Sequence, residues 1–438
     1  MTTTAFLDVN VVPMDRERVL ARQTVVVRDA VIAAVGRAAE VRVPEEATRI
    51  DARDRYLLPG LADMHVHLEY EEDLLLFLAN GVTTVRNMSG APFHVAWRER
   101  VARGEMLGPT IITAGPIIDG KPPTARGAVV VETTKEAARV VAEQAAAGYD
   151  FVKIYDGLSR DSYDALMAAA SRLGVSVAGH VSRNVRLRRA LASRQWSIEH
   201  LSGYVDPIEA ADSPFRGKWN WRKTWHAVEV DDERIARAAT ATRDAGVWNC
   251  PTLVVFEKAA LRENAQSLLE RPEMRYIRAE RRASWGLSDG RTPVRTTAPA
   301  RREVARAEAT RRGEAVRKKL TKALADAGAG ILLGTDAANR FVLPGFSVHE
   351  ELRCLVAAGL TPYEAIRAGT RAAAESLERG GEFGTVEAGK RADLILLEAN
   401  PLDDVDNVQR RQGVMARGRW LPQAEIRAML EQMAASLA

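Results

Sequence analysis

The 438-residue chain is 46% apolar and 27% charged, an ordinary globular composition with room for one large domain plus additions or two to three smaller ones. No apolar run approaches the roughly 20 residues a membrane helix needs, and two cysteines exclude a disulfide framework, so Cys250 and Cys354 read as reduced core thiols. The net charge is +4, but the excess is local: residues 257–326 hold 18 basic and 10 acidic side chains.

The N-terminus has neither a basic nor an apolar leader region, so no signal peptide is expected and the compartment reads as cytoplasmic. Residues 1–56 read as short strands, with β-branched runs at Thr24–Val27 and Val31–Val35. From residue 57 short apolar strands alternate with helical stretches. Strands are expected near 61–68, 81–88, 109–115, 149–155, 175–181, 196–201, 248–255 and 330–336. Helices are expected between most of them, including Thr134–Ala147 and Ser159–Leu173. The second opens on Ser159-Arg160-Asp161 and stops at Gly174. Eight such units predict an α/β fold with parallel strands in a (β/α)8 TIM-like barrel; a doubly wound open sheet is the alternative.

Residues 257–326 are too long for a plain connection and read as a helical insertion with a break near Asp289–Pro293. Its charge would attract a substrate carboxylate, or it forms a solvated or oligomer-contacting helical pair. The stretch Lys218–Trp225, with Trp219, Trp221 and Trp225, is either a substrate-facing lid or a subunit contact. From about residue 384 the strands return, at 392–397 and 414–419. The expected division is therefore 1–56, 57–383 and 384–438, with both chain ends building a small β-sandwich and a terminal helix following.

The chemistry gathers at strand ends. The chain has seven histidines, and four of them end expected strands: His65 and His67, then His180, then His200. Residues i and i+2 of a strand face the same side, so His65 and His67 address one centre. Asp336 ends the eighth strand. In a barrel all these ends lie on the face where active sites are built. Imidazole and carboxylate suit zinc, with manganese or cobalt as alternatives. Four histidines and an aspartate exceed the needs of one tetrahedral ion, so two ions are expected, and two ions need a bridge. Lys153 ends the fourth strand and is one of only ten lysines. Beside two dications its ammonium is disfavoured. The neutral amine can take up carbon dioxide as a carbamate, whose two oxygens can hold metals roughly 3.5–4 Å apart. Taken singly, each of these residues has a bland reading as a structural histidine or a snorkelling lysine; six suitable residues on five strand ends do not.

These six residues resemble the metal-ligand pattern of the amidohydrolase superfamily in its two-metal, carbamylated-lysine form. Leu58–His67 resembles that family's entry into the barrel, and Gly384–Leu394 its return to the β-domain. The similarity is greatest to the imidazolonepropionase-like and prolidase-like branch, which includes Xaa-dipeptidases and ochratoxin-type amidases. Lys153 argues against imidazolonepropionase activity itself, since that enzyme is mononuclear and lacks the bridging lysine. The resemblance implies that His65, His67 and Asp336 hold the more buried ion and His180 and His200 the second, with carbamylated Lys153 between them. It also implies that Asp336 takes a proton from the nucleophile and gives it to the leaving amine.

Tyr204 is a further catalytic candidate, placed to hydrogen-bond a carbonyl or oxyanion; Tyr155 invites the same reading, and both compete with simple packing. His349 reads as structural, and His94 and His226 as surface or core residues. The expected activity is hydrolysis of an amide bond in a dipeptide or N-acyl amino acid. The same ligands would serve an ester, lactone, cyclic amide or phosphotriester. The expected partners are that small substrate and further copies of the chain as a homo-oligomer, with no membrane and no nucleic acid. A scaffold whose arginine-rich helices bind nucleic acid is the non-catalytic alternative, and six intact ligands oppose it.

Overall fold

The computed structural model describes residues 2–213, 225, 229–260, 265–285 and 300–437. The Asp289–Pro293 break, His226 and all of the tryptophan-rich stretch except Trp225 lie outside the described residues. The chain begins with β1 (Thr3–Val11), β2 (Leu20–Arg28), β3 (Val31–Arg37), β4 (Thr48–Asp51) and β5 (Tyr56–Pro59). Six parallel-paired strands carry the functional residues: β6 (Leu61–Val66), β7 (Val82–Asn87), β8 (Thr110–Thr113), then, after the short β9 (Ile118–Asp119) and β10 (Val129–Val130), β11 (Phe151–Ile154), β12 (Ser176–Gly179) and β13 (Ser197–Glu199). β14 (Trp248–Cys250) pairs parallel with β13. β15 (Leu394–Leu397), β16 (Arg411–Ala416) and β17 (Arg419–Pro422) end the chain, before the helix Gln423–Leu437.

Both chain ends build one eight-stranded sheet, in the order β17-β16-β15-β5-β1-β2-β3 with β4 beside β1. The Phe6 ring on β1 meets Trp420 on β17 at 5.2 Å although three strands separate them, so the sheet curls onto its own face. β5 pairs with β15 and β1, whereas β6 pairs with β7; the chain changes sheet at Gly60. A side chain at Gly60 would stand 2.1 Å from Thr83 Oγ1, so the changeover needs glycine.

The central parallel strands form two sheets, β6-β7-β8 and β10-β9-β11-β12-β13-β14. Three single parallel bridges continue the pairing beyond them. Ala114–Phe151 joins the end of β8 to β11, Asn249–Ile331 joins β14 to the eighth expected strand, and Val66–Ala337 joins that segment to β6. Parallel strands need crossovers, and helices supply them. Thr134–Ala146 opens on a capping box between Thr133 and Glu136. Arg160–Leu173 is capped by Ser159 and ends at Gly174 with φ 66°, as its sequence signals require.

The described parts of the insertion are largely helical, and the last half of its final helix, Ala300–Asp326, is not fully solvated: Arg317, Leu320, Thr321 and Leu324 form a buried stripe at helical spacing. Another of its helices, Ala279–Ser284, is tied to the segment after β6 by Arg281, whose guanidinium grips Asp73 at 2.6–2.9 Å. Among the described residues no helix is long and apolar enough to cross a membrane. Leu324 is fully buried, so Leu324→Ala is expected to cost about 2–5 kcal/mol of stability, measured by chemical denaturation. A loss near zero would mean the helix is not part of the core.

Candidate metal centre

Strand alternation buries Asp63, His65, Arg86, Lys153, Ser197 and Glu199 against the parallel strands, where each is at most 1% exposed. His180 and His200 follow β12 and β13 directly, and Asp336 lies within the segment bridged to β14 through Ile331 and to β6 through Ala337. Five of the six expected ligands form a chain of direct contacts. His65 Nε2 and His67 Nε2 lie 3.3 and 3.0 Å from Asp336 Oδ1, and His200 Nε2 lies 4.0 Å from Oδ2. The His65 and His200 rings are 4.6 Å apart, and His200 and His180 5.0 Å apart. One atom each from His65, His200 and Asp336 falls within a 4.8 Å cluster, a spacing that a shared cation can span.

What aims the rings is the other nitrogen. His65 Nδ1 is 2.6 Å from Glu199, His180 Nδ1 is 2.9 Å from Asp156, and His200 Nδ1 is 2.6 Å from Thr252 Oγ1. A partner on Nδ1 orients a metal-binding imidazole and leaves Nε2 for the ion. His65 Nε2, His180 Nε2 and Asp336 Oδ1 are buried and have no hydrogen-bond partner. Buried lone-pair atoms that make no hydrogen bond are costly unless a cation meets them, and here Asp336 Oδ1 stands only 3.3 and 3.0 Å from two imidazole nitrogens. The donor set therefore fits divalent metal ions.

Electrostatics agree with that fit. Burial, reinforced by Lys153, holds the His65 pKa well below the usual range, and burial takes His200 down to about 3. Both are neutral bases with available lone pairs. Burial would lift Asp336, but the facing His65, His200 and His67 rings outweigh it and keep the carboxyl below its usual range. Burial lowers Lys153 to about 8, against the opposing pull of Glu199 and Asp336. Near neutral pH a usable fraction of that amine is neutral.

The backbone is tuned to the same end. A side chain at Gly334 would meet Cys250 Sγ at 2.3 Å and the His65 backbone nitrogen at 2.9 Å, so only glycine lets the eighth segment lie against His65. His200, Thr252 and Asp336 adopt left-handed φ values of 60°, 49° and 63°, a backbone region costly for non-glycine residues.

Tyr204 is not brought to the centre. Its hydroxyl is buried against Thr242 Oγ1 at 2.8 Å and Asn249 Oδ1 at 2.9 Å. Cys250 groups with His65 and Glu199 inside the strands, so the neighbouring Asn249 points outward, toward the helix Asp232–Ala245. The expected carbonyl-binding role therefore fails on geometry. Tyr155 is the tyrosine at the centre, stacked on His180 with ring centroids 3.9 Å apart. His349 is structural as expected, its Nε2 2.9 Å from Arg411. His94 is a core residue whose Nε2 meets the Leu68 carbonyl. The orienting residues Glu199, Arg86, Asp156 and Thr252 escaped sequence reading, because each pairs with a ring distant in sequence or follows no spacing rule.

The amidohydrolase family model matches residues 56–421. The chain belongs to the amidohydrolase family. Among curated proteins, an imidazolonepropionase from Geobacillus sp. (strain WCH70) is 44% identical over 75 residues, which span only 17% of this chain and 17% of that protein. Among solved structures, a bottromycin amidohydrolase superposes with a TM-score of 0.79 at 26% identity, over 100% of this chain and 91% of that one. A putative prolidase from Bifidobacterium longum superposes with a TM-score of 0.71 at 25% identity, over 99% of each chain. This amidohydrolase is accordingly a hydrolase acting on carbon–nitrogen bonds.

Its fully buried Glu199 carboxylate is met by Arg86 Nη2 at 2.8 Å and by Ser197 Oγ at 2.5 Å. Arg86→Met would leave that charge uncompensated and is expected to cost about 3–5 kcal/mol in denaturant unfolding. Asp156→Ala frees the His180 ring and is expected to weaken metal binding about 10–100-fold, read by chelator competition.

Proposed function

We propose that this amidohydrolase cleaves the amide bond of dipeptides or N-acyl amino acids at a centre holding two divalent metal ions, zinc foremost. The observation that carries the reading is the set of orphaned Nε2 and Oδ1 atoms on His65, His180 and Asp336, with each ring fixed from behind through Nδ1. In this reading the three single bridges close the parallel strands into a (β/α)8 barrel spanning about 57–383, and the curled terminal sheet is a small β-sandwich.

His65, His67 and Asp336 would hold one ion, and His180 and His200 the other. The neutral amine of Lys153 would add to carbon dioxide and release a proton, and the resulting carbamate would help to hold both ions. Bound metal supplies Lewis acidity, which polarises the scissile carbonyl and acidifies water. The chain's own residues do the rest. Glu199, Asp156 and Thr252 keep the imidazoles aimed. Asp336 stays ionised between the rings, accepts the proton of the attacking water and passes it to the leaving amine. Tyr155, against His180, borders the space where the substrate carbonyl lies. The similarity to a prolidase and a bottromycin amidohydrolase supports an amide of peptide type.

The test is amino-acid release from a panel of dipeptides and N-acyl amino acids by zinc-loaded protein with bicarbonate. Release is expected from the wild type. Lys153→Ala is expected to lose metal occupancy and at least 100-fold in rate together, a scale on which one misplaced catalytic element operates. Full activity in that variant would remove the bridging role. Absence of release from a two-metal protein would move the bond to an ester, lactone, cyclic amide or phosphotriester.

A further inference from the structure

Arg317 is a buried cation with no paired carboxylate among the described residues. It lies on the helix Ala300–Asp326 and is 5% exposed. Its Nε and Nη1 have no hydrogen-bond partner, and among the described residues no carboxylate forms an ion pair with it. Burial pulls its pKa down, and Glu314, one turn earlier, acts in the opposite sense without pairing. An unpaired guanidinium away from water is costly. Two aromatic faces offset part of that: the guanidinium carbon is 3.6 Å from the Phe256 ring centre and 4.6 Å from Trp225. Neither ring satisfies the N–H groups.

The place of this cation gives it meaning. Phe256 stands edge-on to His200, ring centres 6.3 Å apart. The guanidinium carbon is therefore at most about 10 Å from the His200 ring, given legs of 3.6 and 6.3 Å. A scissile carbonyl and the carboxylate one residue further along a peptide are about 3.8 Å apart by the Cα repeat, and a charge-assisted bond adds about 2.8 Å. That reach lies below this upper bound. The wall is also rigid. Phe256 is on the helix Leu253–Ala260, whose Leu253 and Val254 N–H groups both donate to the buried Glu351 carboxylate at 2.9 and 2.7 Å. The same turn carries Thr252, which orients His200.

We propose that Arg317 is a specificity residue that receives the free carboxylate of the substrate's leaving amino acid, with Phe256 and Trp225 as the walls of its pocket. The planar fork of arginine matches a carboxylate in two parallel hydrogen bonds. Such a pocket selects a C-terminal amino acid with a free acid and rejects its amide, because the neutral ligand leaves the guanidinium unpaired. The choice of substrate rests on the amide-hydrolase reading above; the anion pocket rests on the geometry of Arg317.

The two are separated by one pair of probes. A leucyl-leucine isostere with a reduced, uncleavable peptide link is titrated calorimetrically into zinc-loaded full-length protein, once as the free acid and once as the carboxamide. The acid is expected to bind about 10- to 100-fold more tightly, the range of a hydrogen bond to a charged group. Arg317→Gln should abolish the difference and Arg317→Lys should keep part of it. Equal affinities in the wild type, which need no variant to fold, would overturn the proposal, as would an undiminished difference in folded Arg317→Gln. Hydrolysis of leucyl-leucine is measured beside it. A retained acid preference without hydrolysis would support the pocket and remove the amide reading. Hydrolysis without acid preference would remove the pocket and keep the amide reading.

Discussion

A carboxylate sealed inside a protein must have its charge met, and Glu199 is the point on which this centre turns. It is fully buried on β13 and binds three groups at once: Arg86 from β7, Ser197 from its own strand and His65 from β6. Arg86 in turn holds the Met64 carbonyl and Ser197. One polar knot therefore ties β6, β7 and β13 and fixes the tautomer and pitch of His65. A buried network of this kind is stable only when complete. Its completeness holds the His65 ring in one orientation, with Nε2 left free.

The same logic recurs at the other ligands with weaker partners. Asp63 accepts from the backbone and hydroxyl of Thr335 at 3.0 and 2.7 Å, binding the eighth segment to β6 and so setting Asp336 opposite His65. Asp156 and Thr252 hold His180 and His200 from loops rather than from strands. Loops at the carboxyl ends of parallel strands are where chemistry is varied on such folds, while the polar interior beneath them serves positioning. The left-handed backbones at His200, Thr252 and Asp336 mark the line between the two.

The basic insertion has a divided role. Much of its charge is spent on docking. Arg281 pairs with Asp73 and Glu69, Arg278 with Glu72, and Lys258 and Arg271 with Glu350. These pairs bind the insertion to the segment after β6 and to the helix Ser347–Ala357. Arg317 instead packs inward on the rings of Phe256 and Trp225, and Phe256 in turn meets His200.

The amino-acid pattern alone gave the alternation of strands and helices and the caps at Ser159 and Gly174, though not the loss of regular strand at 330–336, and it singled out His65, His67, Lys153, His180, His200 and Asp336 as a candidate set. Those are properties of local spacing: strand ends, a two-residue alternation and rare residue types are all visible along one dimension. The tertiary structure alone decided which atom of each ring is free, since Glu199 lies 134 residues from His65 and Thr252 lies 52 residues from His200. It also decided against Tyr204. Spacing placed that tyrosine four residues past His200, but the strand's alternation turns its partner Asn249 outward, and the hydroxyl follows it into the layer of helices. Hydrogen-bond partners across a sheet depend on register and on which face a side chain takes, and neither quantity is written in the distance between residues along the chain.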